Sequence, residues 1–156
     1  MLRANKKLSQ RADAARFAIV ASKYNGRYVD AMLRSALAEL KRAGAKEVKV
    51  VRVPGAYEIP VVTARLARLP GGALNAIICL GVILRGATTH AAHIGEAVSQ
   101  ALMDIQVSTE VPVIHEVLLL ENEQQAKERC LSRTHNRGTE AAQTALAMAK
   151  VMAGIK

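Results

Sequence analysis

The sequence predicts an α/β domain, a three-layer αβα sandwich on a four-stranded parallel sheet. Three observations carry the prediction. Short apolar runs alternate with longer stretches of helical periodicity along the whole chain. The links between them are short and rich in glycine, proline and asparagine. The first run is apolar at successive positions, as suits a central parallel strand covered on both faces.

Residues 1–14 are polar and basic with little periodicity, and read as an arm ordered against a neighbouring subunit. Residues 15–156 read as a single domain. Phe17 to Ala21 is the first predicted strand, ending in the polar turn Ser22-Lys23-Tyr24-Asn25-Gly26. Val29, Met32, Leu33, Ala36, Leu37 and Leu40 recur at helical spacing, and Gly44 stops that helix. Val48 to Val53 is the second strand, stopped by Pro54-Gly55. A helix follows to about Leu69, with Pro60 near its start, where a missing N–H costs nothing, and Pro70-Gly71-Gly72 at its close. Strand three begins at Ala76 and runs to Gly81, within an apolar stretch that reaches Leu84. The next helix spans about Thr89 to Ile105, and strand four Pro112 to Leu119. A short helix from Glu121 to Cys130, a loop from Leu131 to Arg137 and an alanine-rich helix from Gly138 to Ala153 complete the chain.

Composition narrows the function. With 51% apolar and 3% aromatic residues, a 156-residue chain builds a core mainly of Ala, Val, Leu and Ile, and disorder is excluded. No apolar run reaches the roughly 18 residues of a membrane span, and the run after the basic N-terminus is too short for a signal peptide. Cys79 and Cys130 are far apart and form no Cys-x-x-Cys pair, which points to reduced thiols in a cytoplasmic protein. The net charge is +9, of which residues 1–16 supply +4. With four aromatics and no interleaving of them among basic residues, anionic small molecules explain the charge at least as well as nucleic acid does.

In parallel sheets ligands collect at the carboxyl ends of the strands. The turn after strand three, Arg85-Gly86-Ala87-Thr88-Thr89-His90, leaves unpaired N–H groups at a helix start, a natural seat for phosphate. His90 there can move protons near neutral pH, although a lone histidine is more often a solvated surface group. Glu58 could be no more than a favourable acid in a first helical turn. Arg129 and Arg137 could be solvated basic residues, but a guanidinium fork also suits phosphate. His115 reads first as a satisfied core histidine, and His93 and His135 as surface residues. No spacing of His, Cys and acids suggests a metal site, and no nucleophile–base arrangement is readable.

Four segments together resemble the lumazine synthase family over about Arg16 to Ile155. They are Ile19 to Asn25, Val53-Pro54-Gly55-Ala56-Tyr57-Glu58-Ile59-Pro60, Gly81 to His90, and Glu121 to Arg129 with Asn136-Arg137-Gly138. The resemblance implies a flavodoxin-like fold and a condensation of 5-amino-6-(D-ribitylamino)uracil with 3,4-dihydroxy-2-butanone 4-phosphate, with no metal or cofactor. It implies His90 as general acid/base and Arg129, with the backbone at Gly86, Ala87, Thr88 and Thr89, as phosphate holder. Tyr24 would stack on the pyrimidine. Ala56, Tyr57 and Glu58 would bind the ring and ribityl chain, and Val82, Ile83 and Leu84 would line the slot. His115, Arg129 and Arg137 would come from a neighbouring subunit of a pentamer, which stands alone, pairs, or builds a sixty-subunit shell. The arm would add to a neighbour's sheet or face the shell interior, and riboflavin synthase is an implied partner.

The chain departs from the family pattern at Ala91-Ala92-His93, where Phe-Asp-Tyr is common, at His115, often Phe, and at Arg137, a lysine in the family. The first two motivate a second reading, a flavin- or lumazine-binding paralogue with little turnover. An archaeal-type riboflavin synthase activity is a smaller alternative. The charge motivates a last reading, a basic shell or nucleic-acid binder.

Overall fold

The computed structural model describes residues 11–71 and 74–155. In chain order it contains β1 (Arg16–Ser22), α1 (Gly26–Arg42), β2 (Glu47–Val53), a 3-10 turn (Ala56–Glu58) leading into α2 (Ile59–Ala67), and β3 (Ala76–Leu84). Next come α3 (His90–Thr109), β4 (Val113–Leu120), a short α4 (Glu123–Ala126) that widens into a π turn (Lys127–Leu131), and α5 (Arg137–Ala153). Among the described residues the four strands form one parallel sheet in the order β2-β1-β3-β4. The predicted α/β sandwich is therefore present. Residues 1–10 of the predicted arm and Gly72 of the predicted helix stop lie outside the described residues. Of the arm's described part, Ala12 is buried and donates its N–H to the Ala43 carbonyl at 2.8 Å.

Alternation along the strands separates two cores. Phe17, Ile19 and Ala21 of β1 face α1 and α5, packing with Met32, Leu40, Ala142 and Leu146. Ala18 and Val20 face α2 and α3, packing with Ile59, Val98 and Leu102. β3 is buried from Ala76 to Ile83, as a strand paired on both sides and covered on both faces must be.

Several boundaries differ from the sequence expectation: β3 runs on from Gly81 to Leu84, α2 stops at Ala67, and three further differences have a visible cause. α3 continues past Ile105 to Thr109 because its polar last turn closes on itself, with Thr109 Oγ1 donating to the Ile105 carbonyl at 2.7 Å. It stops at Glu110, whose φ of 58° no helix can continue. The predicted helix from Glu121 to Cys130 is a single α turn followed by the π turn. Arg137 belongs to α5, not to the loop before it, because Asn136 caps that helix by accepting from the Gly138 N–H at 2.8 Å.

β4 forms one border of the sheet. Its even-numbered residues bond to β3, so the N–H groups of Val113 and Val117 point to the free side. Both are taken by side chains: Val113 N–H donates to Gln106 Oε1 at 2.9 Å and Val117 N–H to His115 Nδ1 at 3.1 Å.

α1 and α5 approach closely at Gly138. A Cβ there would collide with the Met32 carbonyl, a backbone group that no rotamer change can move aside. Gly138→Ala is therefore expected to destabilise the fold by at least about 3 kcal/mol. Gly86→Ala, with nothing within 4 Å of the added carbon, is expected to leave stability within about 0.5 kcal/mol. Denaturant titration of the two variants checks the contrast.

Candidate functional site

The turns that follow β1, β2 and β3 meet at one end of the sheet. The β1–α1 turn is sewn to the β2–α2 turn by N–H donations from Lys23 to the Val53 carbonyl at 2.8 Å and from Tyr24 to the Pro54 carbonyl at 3.0 Å. Asn25 adopts the left-handed conformation, φ 54°, which asparagine tolerates better than most residues. Its amide donates to the Val82 carbonyl at 2.7 Å and so ties α1 to the end of β3. Arg52 reaches across β1 to the Ser22 carbonyl at 2.9 Å and to Asp30 at 2.7 Å, so its charge is already engaged. Of the predicted ring-binding residues, Ala56 is buried, while Tyr24 and Tyr57 are 76% and 65% exposed. Glu58 is also exposed and accepts from the Gly55 N–H at 3.0 Å, so one carboxylate oxygen caps its own turn while the other is free to face a ligand.

Beside these turns β3 ends in buried Val82 and Ile83 and half-buried Leu84. Arg85 is held by Glu121 at 2.9 Å, a strut between the β3–α3 and β4–α4 turns. Gly86, Ala87, Thr88 and Thr89 are exposed, and among the described residues their backbone N–H groups have no protein acceptor. They stand before the first turn of the 20-residue α3, whose dipole adds positive potential. His90 opens that helix, exposed, with its own N–H directed to Thr88 Oγ1 at 3.4 Å. Tyr24, Ala56 to Glu58, Val82 to Leu84 and Gly86 to His90 are thus gathered at one edge.

The remaining predicted residues lie elsewhere on the chain. His115 sits on β4 beside α3, its Nε2 2.7 Å from Ser99 Oγ, about 13 Å along the helix from His90. It is exposed, so the core-histidine reading is corrected: β4 borders the sheet and leaves this position uncovered. Because Nδ1 accepts from Val117, a neutral ring carries its proton on Nε2 and donates to Ser99. Ser99 is therefore not activated as a nucleophile. Partial burial holds the imidazole below its ordinary pKa. Arg129 lies on the π turn, and Arg137 opens α5, paired with Glu140 at 3.0 Å.

Glu116, on the opposite face of β4 from His115, was missed in the sequence. Burial pushes its carboxyl up to about 7, opposed by Arg137 and Arg129 and reinforced by Glu140. Its signal was a lone acid inside the apolar run Val113 to Leu120. Asn25, Arg85 and Glu121, quoted with their motifs but given no role, turn out to join the turns.

Both cysteines are free and buried, with Cys79 pushed up to about 12 and Cys130 to about 11 by burial, so neither is a thiolate nucleophile at neutral pH. A cleft of about 610 Å³ lies between α1 and residues 130–139, lined by Arg34, Ser35, Arg133 and Thr139 among others, and contains none of the predicted site residues. Among the described residues no helix is long and apolar enough to cross a membrane.

Residues 14–153 match the family model described as 6,7-dimethyl-8-ribityllumazine synthase. Curated relatives from several Xanthomonas strains carry that same name. Those from Xanthomonas campestris pv. campestris (strain B100) and Xanthomonas oryzae pv. oryzae (strain PXO99A) are 40% identical to this chain, covering 91% of it and 92% of each relative. The one from Xanthomonas euvesicatoria pv. vesicatoria (strain 85-10) is 39% identical over the same shares.

The buried carboxyl gives a stability prediction. A folded pKa raised from 4.5 to about 7 means that ionising Glu116 disfavours the fold. The penalty is absent below pH 4.5, grows as pH rises and is complete above about 7. Glu116→Gln is expected to match the parent's thermal midpoint near pH 4.5 and to exceed it by a few degrees near pH 8. Scanning calorimetry at the two pH values reads the difference.

Proposed function

The chain belongs to the 6,7-dimethyl-8-ribityllumazine synthase family, and on that premise we propose which of its residues carry the reaction. The enzyme, a transferase of riboflavin biosynthesis, condenses 5-amino-6-(D-ribitylamino)uracil with 3,4-dihydroxy-2-butanone 4-phosphate. It forms 6,7-dimethyl-8-ribityllumazine and releases phosphate. The uracil's 5-amino group attacks the ketone, and loss of water gives an imine. The C–O bond to phosphate then breaks, and ring closure expels a second water. Each step transfers protons, and His90 at the mouth of α3 is the general acid/base.

The single observation that carries the assignment is the row of unpaired N–H groups from Gly86 to Thr89 directly before His90. It offers a phosphate four donors and a helix dipole within reach of an imidazole. Arg129 supplies the cation that holds the phosphate and stabilises its departure. Tyr24 stacks on the pyrimidine, Ala56 to Glu58 hold the ring and ribityl hydroxyls, and Val82 to Leu84 close the slot. His115 and Arg137 complete the cleft from a second subunit. The placement of His115 beside Ser99, about 13 Å along α3 from His90, supports this sharing, since a second copy can bring to the edge what one chain holds away from it. Holding two substrates together accounts for much of the acceleration.

The same reading makes the assembly a pentamer or a multiple of pentamers. Val61 of α2 and Val107 of α3 are each 69% exposed and Met103 of α3 is 54% exposed, an apolar layer suited to burial between subunits. Residues 1–14 form the arm and 15–156 the catalytic domain. Two free thiols fit the reducing cytoplasm. Riboflavin synthase, which consumes the product, is the partner.

Mixing protein with both substrates is expected to give lumazine absorbance and fluorescence above the uncatalysed rate. His90→Ala is expected to lower kcat by about 100-fold. Arg129→Ala is expected to raise KM for the phosphorylated substrate by about 10- to 100-fold. Parental kinetics in both variants would refute the site assignment. Light scattering is expected to return a mass that is a multiple of five 16.7 kDa chains.

A further inference from the structure

Ser99 of α3 and His115 of β4 meet at the border of the sheet, and both are exposed. The imidazole is anchored through both of its nitrogens. Val117 N–H donates to Nδ1 at 3.1 Å, and Nε2 stands 2.7 Å from Ser99 Oγ. The two anchors come from a strand and a helix, so they fix the ring in place and in plane. They also fix its proton. Nδ1 must accept, so the ring is neutral and Nε2 carries the hydrogen. A second proton on Nδ1 would set one N–H against another. With both nitrogens engaged inside the chain, the part left for a ligand is the flat face of the ring. Its surroundings on this face of β4 are apolar: Val113 and Val117 are buried and Leu119 is 40% exposed. Gly95, one turn before Ser99, lets α3 run close to that strand, since a Cβ there would stand 3.5 Å from Leu119 Cδ2. His115 is thus an uncharged plate held at an open, apolar surface.

We propose that Ser99 is a positioning residue for the ribitylaminouracil: by holding His115 in its Nε2-protonated form, it presents the face of the imidazole to the pyrimidine ring. The proposal rests on the reading of His115 as a substrate contact supplied by a second subunit. Of the two substrates only the uracil has a ring for a flat face to meet. The butanone phosphate is an open chain, and a neutral imidazole has no charge to offer its phosphate. Ser99 therefore acts on one substrate and not on the other. Its means is preorganisation: a ring already fixed loses no rotamer freedom when the ligand arrives. The plate neither gives nor takes a proton during the reaction, so ground state and transition state feel it alike. The effect belongs in KM for the uracil and not in kcat.

Steady-state kinetics of the assembled enzyme test this with four variants: Ser99→Ala, His115→Ala, His115→Phe and the double change Ser99→Ala with His115→Phe. Ser99→Ala is expected to raise KM for the uracil by about 2- to 10-fold, with KM for the butanone phosphate at the parental value. In the His115→Phe background the ring needs no tether, so Ser99→Ala is expected to change nothing further. That loss of effect is the mark of a contribution passing through the imidazole. An equal effect in both backgrounds overturns the proposal, and so does an effect confined to kcat. His115→Ala separates the two levels of inference. If it raises KM for the uracil while Ser99→Ala stays parental, His115 is a substrate contact and the role of Ser99 fails alone. If His115→Ala leaves that KM unchanged, the contact reading fails and the inference fails with it. Nitrogen NMR of the histidine-labelled parent gives an independent check, with the His115 signals assigned by their disappearance in His115→Phe. A neutral ring protonated on Nε2 is expected, and a ring protonated on Nδ1 overturns the proposal.

Discussion

Strand β3 is hydrogen-bonded along both sides and covered on both faces, and that double burial dictates where the rest of the molecule must go. A buried backbone can leave no polar group unanswered, so the chain can turn only where the ladder ends. β1 and β2 run parallel to it in register and release their turns at the same end. Gly81 tightens the arrangement. A side chain there would press on Ile59, Val117 and Ser22, which belong to three different elements. The candidate site residues of these turns gather at this edge because parallel pairing leaves three successive turns no other place to emerge.

Charge is distributed with the same economy. Arg52 and Arg85 are spent on fastening turns, one to the end of β1 and Asp30, the other to Glu121. Arg52 does so with several guanidinium contacts, to the Ala21 and Ser22 carbonyls and to Asp30, and Arg85 with a single contact to Glu121. Among the described residues Arg129 has no such ion pair, and the N–H groups from Gly86 to Thr89 are likewise without a protein acceptor. On the proposed reading, the seat for phosphate consists of donors left without local partners while other cations are paired within the chain.

Much of this was legible in the residues. Runs rich in Val, Ile and Leu located all four strands, most plainly β1 and β3, which are buried along nearly their whole length, and Gly44 marked a helix stop that the structure places at φ 81°. Most of the motif residues were legible because they follow a strand end, while Arg129 and Arg137 stand on the helical turns beyond β4. What escaped was set by geometry without a local signature. The last turn of α3 is polar and exposed, so no periodicity announced it. The π turn is a backbone event within a sequence that reads as ordinary helix. Glu116 could be seen as an odd acid in a strand, but its neighbours Arg137 and Glu140 lie on a helix some twenty residues further on and only folding brings them close. The exposure of His115 followed from strand order, which the sequence does not state.

The outer border of β4 carries a last implication. With Gln106 and His115 occupying the N–H groups of Val113 and Val117, that margin offers an incoming strand two donors fewer. Accretion of copies by sheet extension is thereby discouraged at one rim, and β2 becomes the rim where foreign backbone could be zipped on. Two ordinary side chains thus make backbone pairing with another copy less favourable on this flank.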